Sequence, residues 1–268
     1  MARSFNGTSD NIQYGSETAI DNLMGFTACA FMRITSDVAV EMSVVSKFRS
    51  DYGAGRLFIS AAGDGVDNNK IFTLVKASST DVSAETVADV LELDTWKVVV
   101  TTWPGTVAGE QAHIYICTLG GAMAEASYTA YHPGSGTNLD DSSASFRLGS
   151  RDAADTFYAG GLAECALWNR VLSTDEIAAL GRGYSPLFFP YGRVLYSPVD
   201  GRTSPERNVA GTSGTITGTS YLDHPSIIYP VANVPLARPS GGGSPPPPVG
   251  RISHATTRSL TRVIGRAL

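Results

Sequence analysis

Up to about residue 170 the chain is a succession of short β-type segments, each cut off by turn residues, with almost no helical periodicity. Val38, Val40, Met42 and Val44 alternate with Ala39, Glu41 and Ser43, the period of a half-buried strand. Further strands are expected at 27–34, 57–61, 71–75, 97–102, 114–118, 145–148 and 162–168. The punctuation between them is Gly63-Asp64-Gly65, Asp67-Asn68-Asn69, Trp103-Pro104-Gly105 and His132-Pro133-Gly134-Ser135-Gly136. Many short strands at this spacing predict an all-β chain, folded as a two-sheet antiparallel sandwich or jelly roll. One short helix interrupts the pattern. Ser173-Thr174-Asp175-Glu176 reads as a capping box, Ile177 and Leu180 as its apolar pair, and Gly181 as its stop.

Past residue 183 the character changes. Residues 184–196 are aromatic and proline-rich, 212–220 form a Thr/Ser/Gly stretch with room for one or two strands, and no independent core is evident. The sequence therefore divides into a sandwich at 1–183, an extension at 184–237 that drapes over the sandwich or a neighbour, and an arm at 238–268. The arm opens with Ser240-Gly241-Gly242-Gly243-Ser244 and Pro245-Pro246-Pro247-Pro248, flexible and then stiff. Arg258, Arg262 and Arg266 then fall at helical spacing, while Leu260, Val263 and Ile264 fill another face. Such a segment is too short to hold a helix alone in water, so it calls for a partner.

Charge follows the same division. The formal net charge of −5 conceals 22 acidic against 12 basic residues in 1–185, a balance of three each in 186–237, and five arginines without an acid in 238–268. No apolar run reaches the roughly 18 residues that span a bilayer. The opening Met-Ala-Arg-Ser-Phe-Asn-Gly lacks the apolar region of a secretory signal. Cys29, Cys117 and Cys165 are odd in number, lack C-x-x-C spacing and sit among apolar residues, so buried free thiols in a reducing compartment are expected.

Several motifs, in order, carry a family resemblance. Phe5-Asn6-Gly7-Thr8-Ser9-Asp10, Phe26-Thr27-Ala28-Cys29-Ala30-Phe31, Trp96-Lys97-Val98-Val99-Val100-Thr101 and Ile114-Tyr115-Ile116 lead to the most specific one. That is Gly161-Leu162-Ala163-Glu164 through Leu167-Trp168-Asn169-Arg170-Val171-Leu172-Ser173 to Glu176-Ile177. Over residues 1–183 these resemble the concanavalin A-like, laminin-G-type jelly-roll domains. The resemblance implies two antiparallel sheets, often used for glycan or protein binding and sometimes with calcium. Phe31 stands where that family often has Trp, and Cys117-Thr118 replaces its Asp-Gly turn. Fold alone does not fix function.

Glycosidases of this fold place alternating carboxylates on one strand. The nearest counterpart, Glu92-Leu93-Asp94, lacks the third acid because position 97 is Lys, and it reads as a solvated loop. The four histidines, His113, His132, His224 and His254, lack ligand spacing. No enzyme and no cofactor are expected. Asp64, Asp67, Asn68 and Asn69 supply hard oxygen donors of the kind calcium takes, with Asp140-Asp141 as a second acidic turn, although Asp and Asn are also ordinary turn residues. Glycan contact would fall to Trp103, placed before a Pro-Gly turn, and to Tyr128, Tyr131 and His132.

For the tail, nucleic acid and membrane are weaker partners than protein: its cations are few and it lacks Trp and Phe. Docking would place Leu260, Val263 and Ile264 in a groove and set Arg251, Arg258, Arg262 and Arg266 against acidic rims. A displayed sandwich with a proline-hinged basic arm resembles the layout of bacteriophage virion proteins. The expected function is that of a non-enzymatic capsid-decoration, head or tail protein in a homo-oligomer or lattice. A carbohydrate-binding host-recognition module or a glycan hydrolase is the alternative.

Overall fold

A computed structural model describes residues 1–38, 41–49, 53–62, 69–151, 156–208 and 211–230. The arm residues Arg251, Arg258, Leu260, Arg262, Val263, Ile264 and Arg266 lie outside the described residues, as do Asp64, Asp67 and Asn68.

Among the described residues the strands are β1 (Ala2–Asn6), β2 (Asn11–Gly15), β3 (Phe26–Ile34), β4 (Met42–Phe48), β5 (Gly55–Ala62), β6 (Lys70–Val75), β7 (Val82–Thr86) and β8 (Lys97–Trp103). They continue as β9 (His113–Thr118), β10 (Ala124–Glu125), β11 (Tyr128–His132), β12 (Phe146–Leu148), β13 (Ala159–Trp168), β14 (Arg193–Ser197), β15 (Thr215–Thr217) and β16 (Ser220–Leu222). One sheet runs β10-β9-β8-β3-β13-β1-β16, with β14 also paired to β13. The other runs β11-β7-β6-β5-β4-β12-β2-β15. Every ladder is antiparallel. The two-sheet jelly-roll sandwich expected from the strand spacing is the observed fold.

The space between the sheets is filled from alternate positions of each strand. Phe26 meets Phe58 edge-on at 4.9 Å and the Trp103 indole at 6.0 Å, while Phe146 packs on Phe58 and Tyr14. A second apolar layer lies on the outer face of the first sheet, where Cys29, Phe31, Val98, Val100 and Trp168 pack with Leu172, Ile177, Leu180 and Tyr196. Strand β3 is therefore largely apolar on both faces, which accounts for the nearly continuous apolar run of its sequence. Residues 184–230 complete this structure: β14 and β16 join the first sheet and β15 the second. They belong with the sandwich to one compact unit, Met1–Pro230.

The helix α1 (Thr174–Gly181) begins as its sequence predicts. Ser173 Oγ accepts from the Glu176 amide, and the Glu176 carboxylate accepts from the Ser173 amide. Its end differs from the expectation. Gly181 is still helical, and it is Gly183, at φ +91°, that takes the left-handed position. The Gly183 amide donates to the Leu180 carbonyl and the Tyr184 amide to the Ala179 carbonyl, which satisfies the last carbonyls. Cys29 and Cys165 are buried free thiols, whereas Cys117 is half-buried on β9.

Candidate functional site

The aromatic residues expected at the surface separate into three fates. Trp103 ends β8 opposite Phe26, and its ring is fully buried between the sheets. The Pro104-Gly105 turn begins one residue later than the side chain's role requires, so Trp103 is a core residue and cannot contact a glycan.

Tyr128 and Tyr131 do come together. A bulge sets Tyr128 against Thr86 and Ala130 against Glu85, so the two tyrosines, three residues apart, share one face of β11. Their rings stack at 4.5 Å with an interplanar angle of 6°. Both are half-buried at the rim where β10 and β11 end the two sheets. Tyr128 OH donates to Glu125 Oε1 at 2.9 Å and accepts from the Ile114 amide. His113 Nδ1 lies 2.7 Å from the same carboxylate and 3.2 Å from Tyr131 OH. Partial burial opposes ionisation of Glu125, but the hydrogen bonds from His113 and Tyr128 prevail and hold its carboxyl below the usual range. His132 is exposed and, as the next residue along the strand, alternates away from the pair. Its place in the cluster is taken by His113, some twenty residues earlier in the chain.

The acidic turns have structural duties. Asn69 is buried, its Oδ1 accepting from the Val38 amide and its Nδ2 donating to Asp37, so it pins a loop and presents no free donor set for calcium. Asp141 is fully buried and already neutralised by Arg56 and Lys47, with Asp21 completing the cluster. Glu92 and Asp94 are exposed and pair with Lys97 at 3.2 Å and Arg33 at 3.0 Å, respectively. Among the described residues no group of three acidic, cysteine or histidine side chains is arranged for a metal.

A second cluster forms around Glu164, which no sequence spacing marks as a site. Between Ala163, paired with Phe31, and Ala166, paired with Cys29, β13 carries one extra residue. The bulge sets Glu164 at φ +52° and turns its side chain outward beside that of Ala163. The carboxylate is fully buried and accepts from Ser185 Oγ at 2.6 Å, from Tyr196 OH at 3.0 Å and from Tyr229 OH at 2.8 Å. Burial pushes the Glu164 carboxyl up, and the three hydroxyls offset part of that rise. Above these residues opens a cavity of about 440 Å³ whose lining includes Tyr196, Tyr229, His224, Asp200, Arg202 and Arg207. The available signal was a lone acid inside the apolar run Leu162-Ala163-Glu164-Cys165-Ala166-Leu167: a buried carboxylate needs a local reason.

Among curated proteins no relative matches this sequence. Solved structures of similar fold include a putative carbohydrate binding protein from Bacteroides ovatus (15% identity, 82% of this chain and 59% of that one, TM-score 0.49). Tailspike protein 2 of the Escherichia coli O157:H7 bacteriophage CAB120 is another (11% identity, 74% and 30%, TM-score 0.45). A third is the CBM40 module of a Ruminococcus gnavus IT-sialidase (14% identity, 68% and 98%, TM-score 0.43). The chain thus spans 59% and 30% of the length of the first two. The sequence profile of the concanavalin A-like lectin/glucanases superfamily matches residues 6–178, more than half of the chain. The chain belongs to the concanavalin A-like lectin/glucanase superfamily, as a domain of laminin-G type.

Proposed function

We propose that the protein is a non-enzymatic display module of a virion, whose sandwich contacts surface glycan through the Tyr128–Tyr131 rim and whose arm attaches it to the particle. The rim stack carries the glycan part. Two parallel phenol rings offer an apolar face for a sugar ring, and His113 and Glu125 stand beside them to bond its hydroxyls. Membership of a superfamily that includes lectins supports the same reading. The absence of turnover is supported by Glu92 and Asp94, whose carboxylates are exposed and engaged with separate cations rather than facing a common cleft. The attachment part rests on charge: a basic arm with Arg258, Arg262 and Arg266 complements an acidic groove on a virion partner. Many copies on one particle would make weak glycan contacts effective through avidity.

A glycan array with the full chain tests this. Binding is expected, with at least a tenfold loss on Tyr131→Ala and no polysaccharide cleavage. Turnover that depends on Glu92 or Asp94 would refute the non-enzymatic reading, and binding indifferent to Tyr131→Ala would refute the rim. Truncation after Val234 is expected to leave a folded sandwich that no longer joins its particle; unimpaired assembly would refute the arm.

A further inference from the structure

Glu164 is a costly residue to keep. A carboxylate in a fully buried position is normally neutralised by a cation, yet this one is held by three hydroxyls, in a backbone conformation that β-strands avoid. His224 Nε2 is 4.0 Å away, beyond hydrogen-bond reach.

The hydrogens in this cluster can be assigned from chemistry alone. Tyr196 and Tyr229 each donate the hydroxyl hydrogen to a Glu164 oxygen, at 3.0 and 2.8 Å. Their phenol oxygens are left with lone pairs and no hydrogen to give. A carbonyl also only accepts, so the 2.8 Å contact between His224 Nδ1 and the Pro225 carbonyl places a hydrogen on Nδ1. Burial holds the imidazole below its ordinary pKa, hence neutral, and Nε2 then carries a lone pair. That nitrogen is buried and has no hydrogen-bond partner among the described residues. Tyr196, Tyr229, His224 and the Asp200 carboxylate therefore give the cavity a wall of acceptors, while Arg202 and Arg207 supply donors at the same opening.

We infer that this cavity is a binding site for a neutral polyol of monosaccharide size, and that Glu164 is its positioning residue, fixing the polarity of the two phenols. A wall of acceptors calls for a ligand rich in O–H donors, and the two arginines call for acceptors on the same ligand. A polyol supplies both at every hydroxyl. Asp200 and Arg202, 3.8 Å apart, offset one another at the opening, so a ligand need not bring a charge to that part of the rim. The volume falls within the about 300–1,000 Å³ of small-molecule sites. Apart from Glu164, the residues that build the site come from Met1 and from the 185–229 region, outside the stretch 6–178 that matches the family. The inference is independent of the glycan rim.

The experiment titrates the full chain with myo-inositol, with D-glucose and with fully O-methylated glucose, which accepts but cannot donate. Binding is read by saturation transfer from protein to ligand. Myo-inositol or glucose is expected to bind and the methyl ether not. His224→Phe and Arg202→Ala, the latter at an exposed position, are each expected to weaken binding at least fivefold, while Tyr131→Ala leaves it unchanged. Glu164→Gln, whose amide donates to the phenols and turns their hydrogens toward the cavity, is expected to narrow the preference for free over methylated sugar. No binding of either polyol, binding that survives both His224→Phe and Arg202→Ala, or binding lost with Tyr131→Ala would each overturn the proposal. An unchanged preference in Glu164→Gln would overturn the positioning role.

Discussion

Replacing Asp141 by alanine removes the anion on which two buried cations converge. Lys47 and Arg56 are register partners on β4 and β5, with side chains 0% and 1% exposed. Asp141 pairs with both and also accepts from the Asn22 amide at 2.8 Å, tying the loop before β12 to the segment before β3. In the variant Asp21, 2.8 Å from Lys47 and 17% exposed, remains to offset the two buried charges, with Asp140 acting on Lys47 at longer range. Breaking a buried pair from one side costs about 3–5 kcal/mol. Lys47 limits that cost, because burial already pulls its ammonium below the ordinary range, against the opposing pull of Asp21, and it can shed its proton. Arg56, lowered by burial to about 10, keeps its charge. For a unit of this size each kcal/mol moves the midpoint by about 2–4 °C, so the expected fall in Tm is roughly 6–20 °C. Urea unfolding of Asp141→Ala, of Arg56→Met and of the double variant measures this. The double variant should lose at least roughly 1 kcal/mol less than the sum of the single changes. A loss below about 1 kcal/mol, the scale of an exposed pair, would refute the buried-cluster account.

Trp103→Ala should destabilise the fold by about 3–5 kcal/mol in chemical denaturation while leaving glycan affinity intact at temperatures where the protein is folded. A loss of affinity without loss of stability would return Trp103 to the surface role its turn context suggests. Stability should also fall in acid through Glu176, whose carboxyl is held at about 2, chiefly by Arg170 and further by the Ser173 amide. Its folded pKa is depressed, so its contribution is complete above the unfolded value and is lost as pH drops toward 2. The Tm gap between wild type and Glu176→Gln should therefore close over that window; a gap that widens in acid would contradict the ion pair.

Local signals in the sequence transferred well. Apolar segments between turn clusters located β3, β5, β6, β8, β9, β12 and β13 to within a few residues and set β4 four residues early, while β1, β2, β7, β10 and β11 gave no such signal. The Ser173–Glu176 spacing located the helix start to the residue, because it is set by neighbours within a few positions. The candidate site transferred poorly because it depends on register. Nothing near Tyr128 marks the bulge that brings it over Tyr131, and only pairing with β7 shows that His132 turns away while His113 arrives from β9. Trp103 reads as a loop residue because Pro104-Gly105 follows, but its position is decided by Phe26 on the neighbouring strand. Glu164 lies in a run that reads as one continuous strand, and its bulge appears only when two residues of β13, Glu164 and Cys165, are set against one of β3, Ala30. The run Phe26-Thr27-Ala28-Cys29-Ala30-Phe31-Met32 is largely apolar on both faces, which already requires a layer outside the sandwich, and residues 184–230 help supply it.

The placement of β15 and β16 has a consequence for biosynthesis. Residues 215–222 pass from one sheet to the other, β15 closing against β2 and β16 against β1. Strands early in the sandwich therefore receive their outer neighbours from strands late in it. While the chain emerges from the ribosome, β1 and β2 wait with unpaired backbone edges until more than two hundred residues have followed. Such long-range pairing is slow to form, and open edges are points of misassociation in the interval. A nascent chain of this kind gains from a chaperone that shields β1 and β2 until β15 and β16 arrive, and truncation before β16 would leave β1 without its outer partner.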